Sequence, residues 1–212
     1  MAPTQPLDKP LLRGVNQTHL ALVFPRRIRR LAETIERMIP PDAATLLDVG
    51  CGSGDVARLI QDRRPPLKVS GIDVLVRPQT AIPVTAFDGR SIPFPDGAFD
   101  VVSLIDVLHH VNDPVGLLKE CARVARQRVL IKDHVQKGVF DRAVLRIMDW
   151  VGNASYGVHL EYQYFSPSEW EDAFRQAGLN RVDHDDRLGL YPFPASLAFE
   201  RHLHFVGAYG KA

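Results

Sequence analysis

Leu46-Leu47-Asp48-Val49-Gly50-Cys51-Gly52-Ser53-Gly54-Asp55 is the stretch whose reading decides the fold. Apolar residues from Thr45 to Val49 read as a short buried strand, and glycines at 50, 52 and 54 interrupt it before a helix that starts near Asp55. Glycine allows the tight turn and lets a ligand approach the backbone with no Cβ in the way. In an open parallel sheet, the passage from strand end to helix start is where ligands bind. Two acids then restrict the ligand. A dinucleotide fingerprint places a third small residue where this chain has Asp55, and an acid at a helix start repels a pyrophosphate. Asp48, two residues before the first glycine, suits a cationic amino group. The loop points to a zwitterionic nucleoside without phosphate.

Outward from this loop the chain alternates strands and helices. A helix is expected to about Gln61, a strand over Leu67–Ile72, a third over Phe99–Ile105, a helix from Pro114 to about Arg126, and a strand over Arg128–Ile131. Apolar strands alternating with helices bury both sheet faces, which defines an α/β domain with a mostly parallel sheet. Between Asp73 and a strand expected over Ile82–Ala86 lie only a few residues, including Arg77-Pro78. A crossover helix there should be missing or reduced to a turn. Further on, Ser166-Pro167-Ser168-Glu169 opens a helix through Ala177 that Gly178 ends, and Arg181–Arg187 reads as a strand. From Leu197 to Ala208 the residues alternate, with Leu197, Phe199, Leu203 and Phe205 on one face and Glu200, His202 and His204 on the other. That pattern predicts a half-exposed antiparallel strand. Before the loop, Val15–Ile39 reads as one or two helices carrying Ile28, Leu31, Ile35 and Met38 at helical spacing, ended by Pro40-Pro41. Arg26, Arg27, Arg29 and Arg30 read as a solvated face of it.

Composition limits the partners. The 212 residues are 45% hydrophobic and 24% charged, the profile of one globular domain with a sizeable core. With 26 Lys and Arg against 25 Asp and Glu, the net charge of +1 provides no field to gather a polyanion, so nucleic acid is not an expected partner. Two cysteines, Cys51 and Cys121, make neither a disulfide framework nor a four-ligand zinc site. The polar start carries no signal-peptide core, and no apolar run reaches the roughly 20 residues of a membrane span. The expectation is a cytoplasmic protein with no membrane partner.

Four motifs in order resemble the class I S-adenosylmethionine-dependent methyltransferases, in particular their small-molecule, ubiquinone/menaquinone-type branch. Asp48-Val49-Gly50-Cys51-Gly52-Ser53-Gly54 is similar to the family's first motif and Gly71-Ile72-Asp73 to its second. Phe87-Asp88-Gly89 with Ile92-Pro93-Phe94 and Phe99-Asp100-Val101-Val102 is similar to the next, and Val107-Leu108-His109-His110-Val111 to the segment after the fourth strand. The resemblance implies a Rossmann-like, seven-stranded, mostly parallel sheet with an antiparallel last strand and helices on both faces. It implies residues 1–44 as an N-terminal helical cap and residues 45–212 as the cofactor-binding domain, with an acceptor-covering insertion near 140–165. It further implies S-adenosylmethionine contacts from Asp48, Gly50, Cys51, Gly52, Gly54, Asp73, Val74, Phe87, Asp88, Gly89, Ile105 and Asp106. Asp73 would take the two ribose hydroxyls and Asp88 the adenine amine, roles their acceptor oxygens can fill. Cys51 reads as a small packing residue.

Methyl transfer is an in-line displacement, so the protein aligns the acceptor and removes a proton where needed. Base candidates are His110 and His134, then His109 and Asp106, because histidine titrates near working pH. Asp133, Trp150, His159, Tyr162 and Tyr164 are the expected substrate residues, since aromatic rings with polar tips line small pockets. Asp106, Asp133 and His134 also resemble the places where catechol-type methyltransferases hold magnesium, but histidine is a poor magnesium ligand, so no metal is assigned. The base-holding Asn/Asp-Pro-Pro-aromatic motif of nucleic-acid methyltransferases and the paired-glutamate loop of protein arginine methyltransferases are both missing, which leaves a small organic acceptor. A monomer or homodimer is expected. The alternatives kept open are a non-catalytic cofactor-binding subunit and a dinucleotide-dependent oxidoreductase.

Overall fold

Seven strands pair into one sheet: β1 (Thr45–Val49), β2 (Lys68–Asp73), β3 (Val84–Ala86), β4 (Phe99–Ile105), β5 (Ala125–His134), β6 (Leu179–Asp185) and β7 (His204–Lys211). Their order across the sheet is β3-β2-β1-β4-β5-β7-β6. The first five are mutually parallel, and β7 is antiparallel to both β5 and β6. The computed structural model describes residues 23–153 and 163–212. This is the expected mixed sheet with its last strand reversed.

Side chains alternate between the two faces, and each face is covered. Val129 and Ile131 of β5 join Leu118 and Cys121 of helix α3 (Pro114–Val124) in one apolar cluster; α1 (Phe24–Met38), α2 (Asp55–Arg63), α4 (Val139–Asn153), α5 (Pro167–Gln176) and α6 (Ser196–Phe199) complete the helices among the described residues. Trp170 and Phe174 of α5 belong to the same cluster. On the other face Leu130 packs with Leu31 and Ile35 of α1 and with Ala57 and Ile60 of α2. Helix α5 begins as its sequence predicts, with a capping box between Ser166 and Glu169 and Pro167 at its first turn.

The link between β2 and β3, residues 74–83, contains no helix, as its length predicts. Instead it tucks under the glycine loop: Ala81 N–H donates to the Ser53 carbonyl at 2.8 Å, and Gly71 N–H donates to that of Pro83 at 2.8 Å. Val74 and Leu75 are left 65% exposed on that side.

Three expectations need correction. Leu197–Phe199 is not strand: Ser196–Phe199 is helical, Arg201 and His202 take positive φ, and β7 starts only at His204. Both faces of β7 are covered, Phe205 and Tyr209 by Trp170 and Phe174 of α5 and Val206 and Ala208 by Leu31 of α1 with Leu190 and Tyr191, and His204 is buried where the alternation predicted exposure. The arginine run is not a solvated face either. Arg26 donates to the Gly189 carbonyl (3.0 Å), Arg30 to that of Leu188 (3.2 Å), and Arg27 pairs with Asp106; only Arg29 is exposed. Finally, β5 is longer than expected, because Ala125 leaves the helix and starts the strand directly. Among the described residues no helix is long and apolar enough to cross a membrane.

Candidate functional site

Strands β1 to β5 run parallel, so their carboxyl ends meet at one edge of the sheet, where the chain leaves each strand as a loop. Along that edge runs a cleft of about 1550 Å³. At one end it is lined by the glycine loop after β1, by Asp73 at the end of β2 and Val74 after it, and by Phe87, Asp88 and Gly89 after β3. At the other end Ile105 ends β4 and Asp106 follows it, and His109, His110 and His134 complete the floor. Of the twelve expected cofactor residues, only Gly54 does not line the cleft. It is spent on packing: a Cβ there would lie 2.5 Å from Ile82 Cγ1, and its φ of +77° favours glycine.

The glycine loop is held from β2. Asp73 Oδ2 accepts from Gly52 N–H at 2.7 Å and Oδ1 from Leu75 N–H at 2.9 Å, which fixes the carboxylate and leaves each oxygen a second lone pair. Arg77 from the helix-free link lies across the loop, its Nη2 3.1 Å from where a Gly52 Cβ would stand. Asp88 is exposed; its Oδ1 accepts from Arg90 and Ser91 N–H at 2.8 Å each, bonds that lower its pKa, while Oδ2 takes no part in that turn. Cys51 is no nucleophile: burial, with Asp48 nearby, pushes its thiol up to about 12.

Asp48 is the most revealing of these groups. It is buried, accepts from Ser103 Oγ at 2.7 Å, and forms no ion pair among the described residues. Burial raises its pKa to about 7, the Ser103 bond offsetting only part of that, with Asp73 adding to the rise. A buried carboxylate in this condition favours a cation beside it. That matches a ligand with an ammonium group, and the Asp73 oxygens match a vicinal diol.

The far end of the cleft is a charged and imidazole-rich cluster. Asp106 sits just past β4 with φ +58°, and both Arg27 and Lys132 bond its carboxylate. Burial would raise the Asp106 pKa, but these two cations outweigh it and keep the group well below the usual carboxylate range. Lys132 is paired in register with Ile105, and its wholly buried ammonium also lies 3.4 Å from His204 Nδ1. Neither Arg27, Lys132 nor His204 was legible as a site residue. The signal available was Lys132 itself, a cation directly after the apolar run Val129-Leu130-Ile131.

Period-two alternation separates the next two residues. Lys132 and His134 share the face of Leu130 and α1, while Asp133 takes the face of Ile131, beneath the turn at Leu108–His110. There its carboxylate accepts from Leu108 N–H (3.1 Å) and His134 N–H (2.7 Å), and its Oδ1 lies 2.6 Å from His109 Nδ1. Asp133 is therefore buried behind His109 and does not line the cleft. Burial opposes its charge, yet His109 and His134 hold its carboxyl well below the ordinary range. His110 stands 3.9 Å from His109, ring to ring, and burial, then His109, pushes its pKa down to about 4. Burial, then Lys132, lowers His134 well below an ordinary histidine. Tyr164 is also buried off the cleft, its ring 6.2 Å from that of His109 and 6.1 Å from that of His134. The Trp150 side chain and residues His159 and Tyr162 lie outside what the structure describes.

Known proteins resemble this chain in the same way. A family profile described as a methyltransferase domain matches residues 24–184. The chain is 28% identical over 101 residues to a demethylmenaquinone methyltransferase of Thermotoga maritima, covering 44% of each protein. It is 28% identical over 160 residues to a ubiquinone biosynthesis O-methyltransferase of Acinetobacter baylyi, covering 65% of this chain and 64% of that one. The matched part thus spans less than two thirds of either relative. Among solved structures, one of a complex between the Haloferax volcanii Trm112 methyltransferase activator and a methyltransferase aligns with TM-score 0.67 at 17% identity, over 95% of this chain and 93% of that one. The shared fold is the content of that likeness.

Proposed function

The chain belongs to the methyltransferase-domain family, and on that premise we propose that it transfers a methyl group from S-adenosylmethionine to an oxygen, sulfur or nitrogen of a small organic molecule. The observation that carries this reading is the single cleft joining the glycine loop to the Asp133–His109 pair. When bound, S-adenosylmethionine supplies a methyl group on a positively charged sulfur, open to in-line displacement.

The chain's own residues divide the work. Asp48 takes the ammonium, Asp73 the ribose diol and Asp88 Oδ2 the adenine amine, while the backbone of Gly50, Cys51 and Gly52 allows close approach. Arg27 and Lys132 keep Asp106 ionised and in place at the junction of the two ends. Phe24, Ile28 and Leu31 of α1, with Met148 and Tyr191, give the acceptor end apolar walls, which suits an aromatic or alkyl acceptor with one polar group. Residues 1–44 are assigned as its cap and 140–165 as its cover, Trp150, His159 and Tyr162 are assigned to the acceptor, and Tyr164 supports the imidazoles. Expected partners remain a small acceptor, no nucleic acid, and no more than a second copy of the chain.

His109 is the base in this proposal. With Nδ1 held by Asp133, its Nε2 is the nitrogen that takes a hydroxyl or thiol proton, and the Asp133 charge stabilises the imidazolium that forms. His110 and His134 are weaker bases because burial disfavours their charged forms. The test is turnover, read as S-adenosylhomocysteine release over a panel of phenols, thiols and amines. His109→Ala and Asp133→Asn should each lower it about 10²–10⁴-fold while S-adenosylhomocysteine affinity by calorimetry stays near wild type. Wild-type turnover in His109→Ala would remove His109 from the role. Heat with a nicotinamide dinucleotide and none with either sulfonium or thioether nucleoside would overturn the whole reading.

A further inference from the structure

Three donors at the acceptor end converge more closely than proton transfer requires. One ligand atom from each of Asp106, His109 and His134 can be chosen so that all lie within 4.8 Å of one another. Asp106 Oδ1 and His134 Nε2 are 3.8 Å apart. Behind them a single oxygen, Asp133 Oδ1, faces the Nδ1 of both imidazoles, at 2.6 Å from His109 and 3.5 Å from His134. The bond to Asp133 turns the His109 ring with Nε2 away from it, in the way a carboxylate behind a histidine orients it for a metal, and the His134 ring, at ion-pair distance from the same oxygen, presents Nε2 to Asp106. All three donors line the cleft, so a fourth coordination position would open toward the acceptor.

We infer that Asp106, His109 and His134 form a binding site for a divalent transition ion of the zinc class, which competes with the acceptor's proton for His109. Two imidazoles and one carboxylate suit zinc or cobalt and not magnesium, which takes oxygen ligands. Bond lengths of about 2.0–2.2 Å put tetrahedral donor atoms roughly 3.3 Å apart, so the site closes by side-chain movements of roughly 1.5 Å or less. The charges facing it set the terms. Arg27 bonds Asp106 Oδ2 and leaves Oδ1 to the ion, whereas Lys132 bonds Oδ1 itself and must give way. Asp133 is the compensating anion behind the rings, and His110 and His204 are the other imidazoles against the cluster.

Binding is measured without cofactor or acceptor, so the result stands apart from the methyl-transfer reading. The full-length chain is titrated with zinc by calorimetry and with cobalt by visible absorption, which reports tetrahedral coordination directly. About one ion per chain with tetrahedral cobalt bands is expected. Asp106→Asn and His134→Ala should each weaken binding at least about 10-fold, and Asp133→Asn about 10–100-fold through loss of the orienting carboxylate. Lys132→Met should tighten it roughly 10-fold or more by removing the competing ammonium. Should His134→Ala fail to fold by circular dichroism, Asp106→Asn, which keeps the side chain's shape but also takes the shared anion from Arg27 and Lys132, is read together with Lys132→Met, and the two decide. No tetrahedral cobalt spectrum in wild type, or equal affinity in Asp106→Asn, overturns the inference. So does a Lys132→Met variant that binds no tighter.

Discussion

Asp48→Asn separates two effects of one buried carboxylate. In the wild-type chain Asp48 has a pKa near 7 when folded, raised chiefly by burial, against about 3.9 when unfolded. A raised folded pKa means that the contribution to stability is fully present below pH 4 and is lost as pH rises through 7. Each unit is worth about 1.4 kcal/mol, so about 4 kcal/mol is lost in all, with about 2–3 kcal/mol of it between pH 5 and pH 8. Asparagine does not titrate and can still accept from Ser103 Oγ. Urea unfolding of both proteins at pH 5, 6, 7 and 8 should show the variant gaining on wild type by that amount, all other titrations cancelling in the difference. Added S-adenosylhomocysteine should narrow the gap at pH 8, because its ammonium compensates the wild-type charge and finds no partner in the variant. If the two pH profiles stay parallel from pH 5 to 8, the carboxylate is already ionised without strain, and the cation-seeking site is refuted.

Asp73→Ala should weaken S-adenosylhomocysteine binding by about 1.5–3 kcal/mol by calorimetry, since charge-assisted bonds to the diol go and Gly52 N–H loses its acceptor; an unchanged affinity would place the ribose elsewhere. Gly54→Ala combines a φ of +77° with a Cβ 2.5 Å from Ile82, and should cost roughly 1–3 kcal/mol or more in thermal unfolding. Gly97→Ala, at φ +62° but with open space around its Cβ, should cost less, and equal losses would contradict the packing argument. Trp170→Phe removes the indole donor to the His134 carbonyl, 2.8 Å away in the core, and should cost about 1–3 kcal/mol while leaving nucleoside affinity in place.

The local pattern was enough for the apolar parallel strands and for what is written in a loop. Glycines 50, 52 and 54, the acids at 48, 73 and 88, the capped start of α5 and the ten-residue link too short for a helix were all legible, because each depends on neighbours in the chain. The sheet order then brought the acids to one edge. What lay beyond local pattern was decided by contacts between distant segments. Arg27 and Lys132 meet only at Asp106, because α1 covers the face of β5 on which Lys132 points. His204 is buried because Tyr191 and Phe199 pack on its face of β7 while α5 covers the other, so the alternation no longer separates inside from outside. Among three adjacent candidate histidines, Asp133 singled out His109, a choice made by the opposite facing of residues 132 and 133 on one strand. Sequence periodicity names the faces of an element; only the packing of other elements against those faces determines which charges find each other and which imidazole a carboxylate holds.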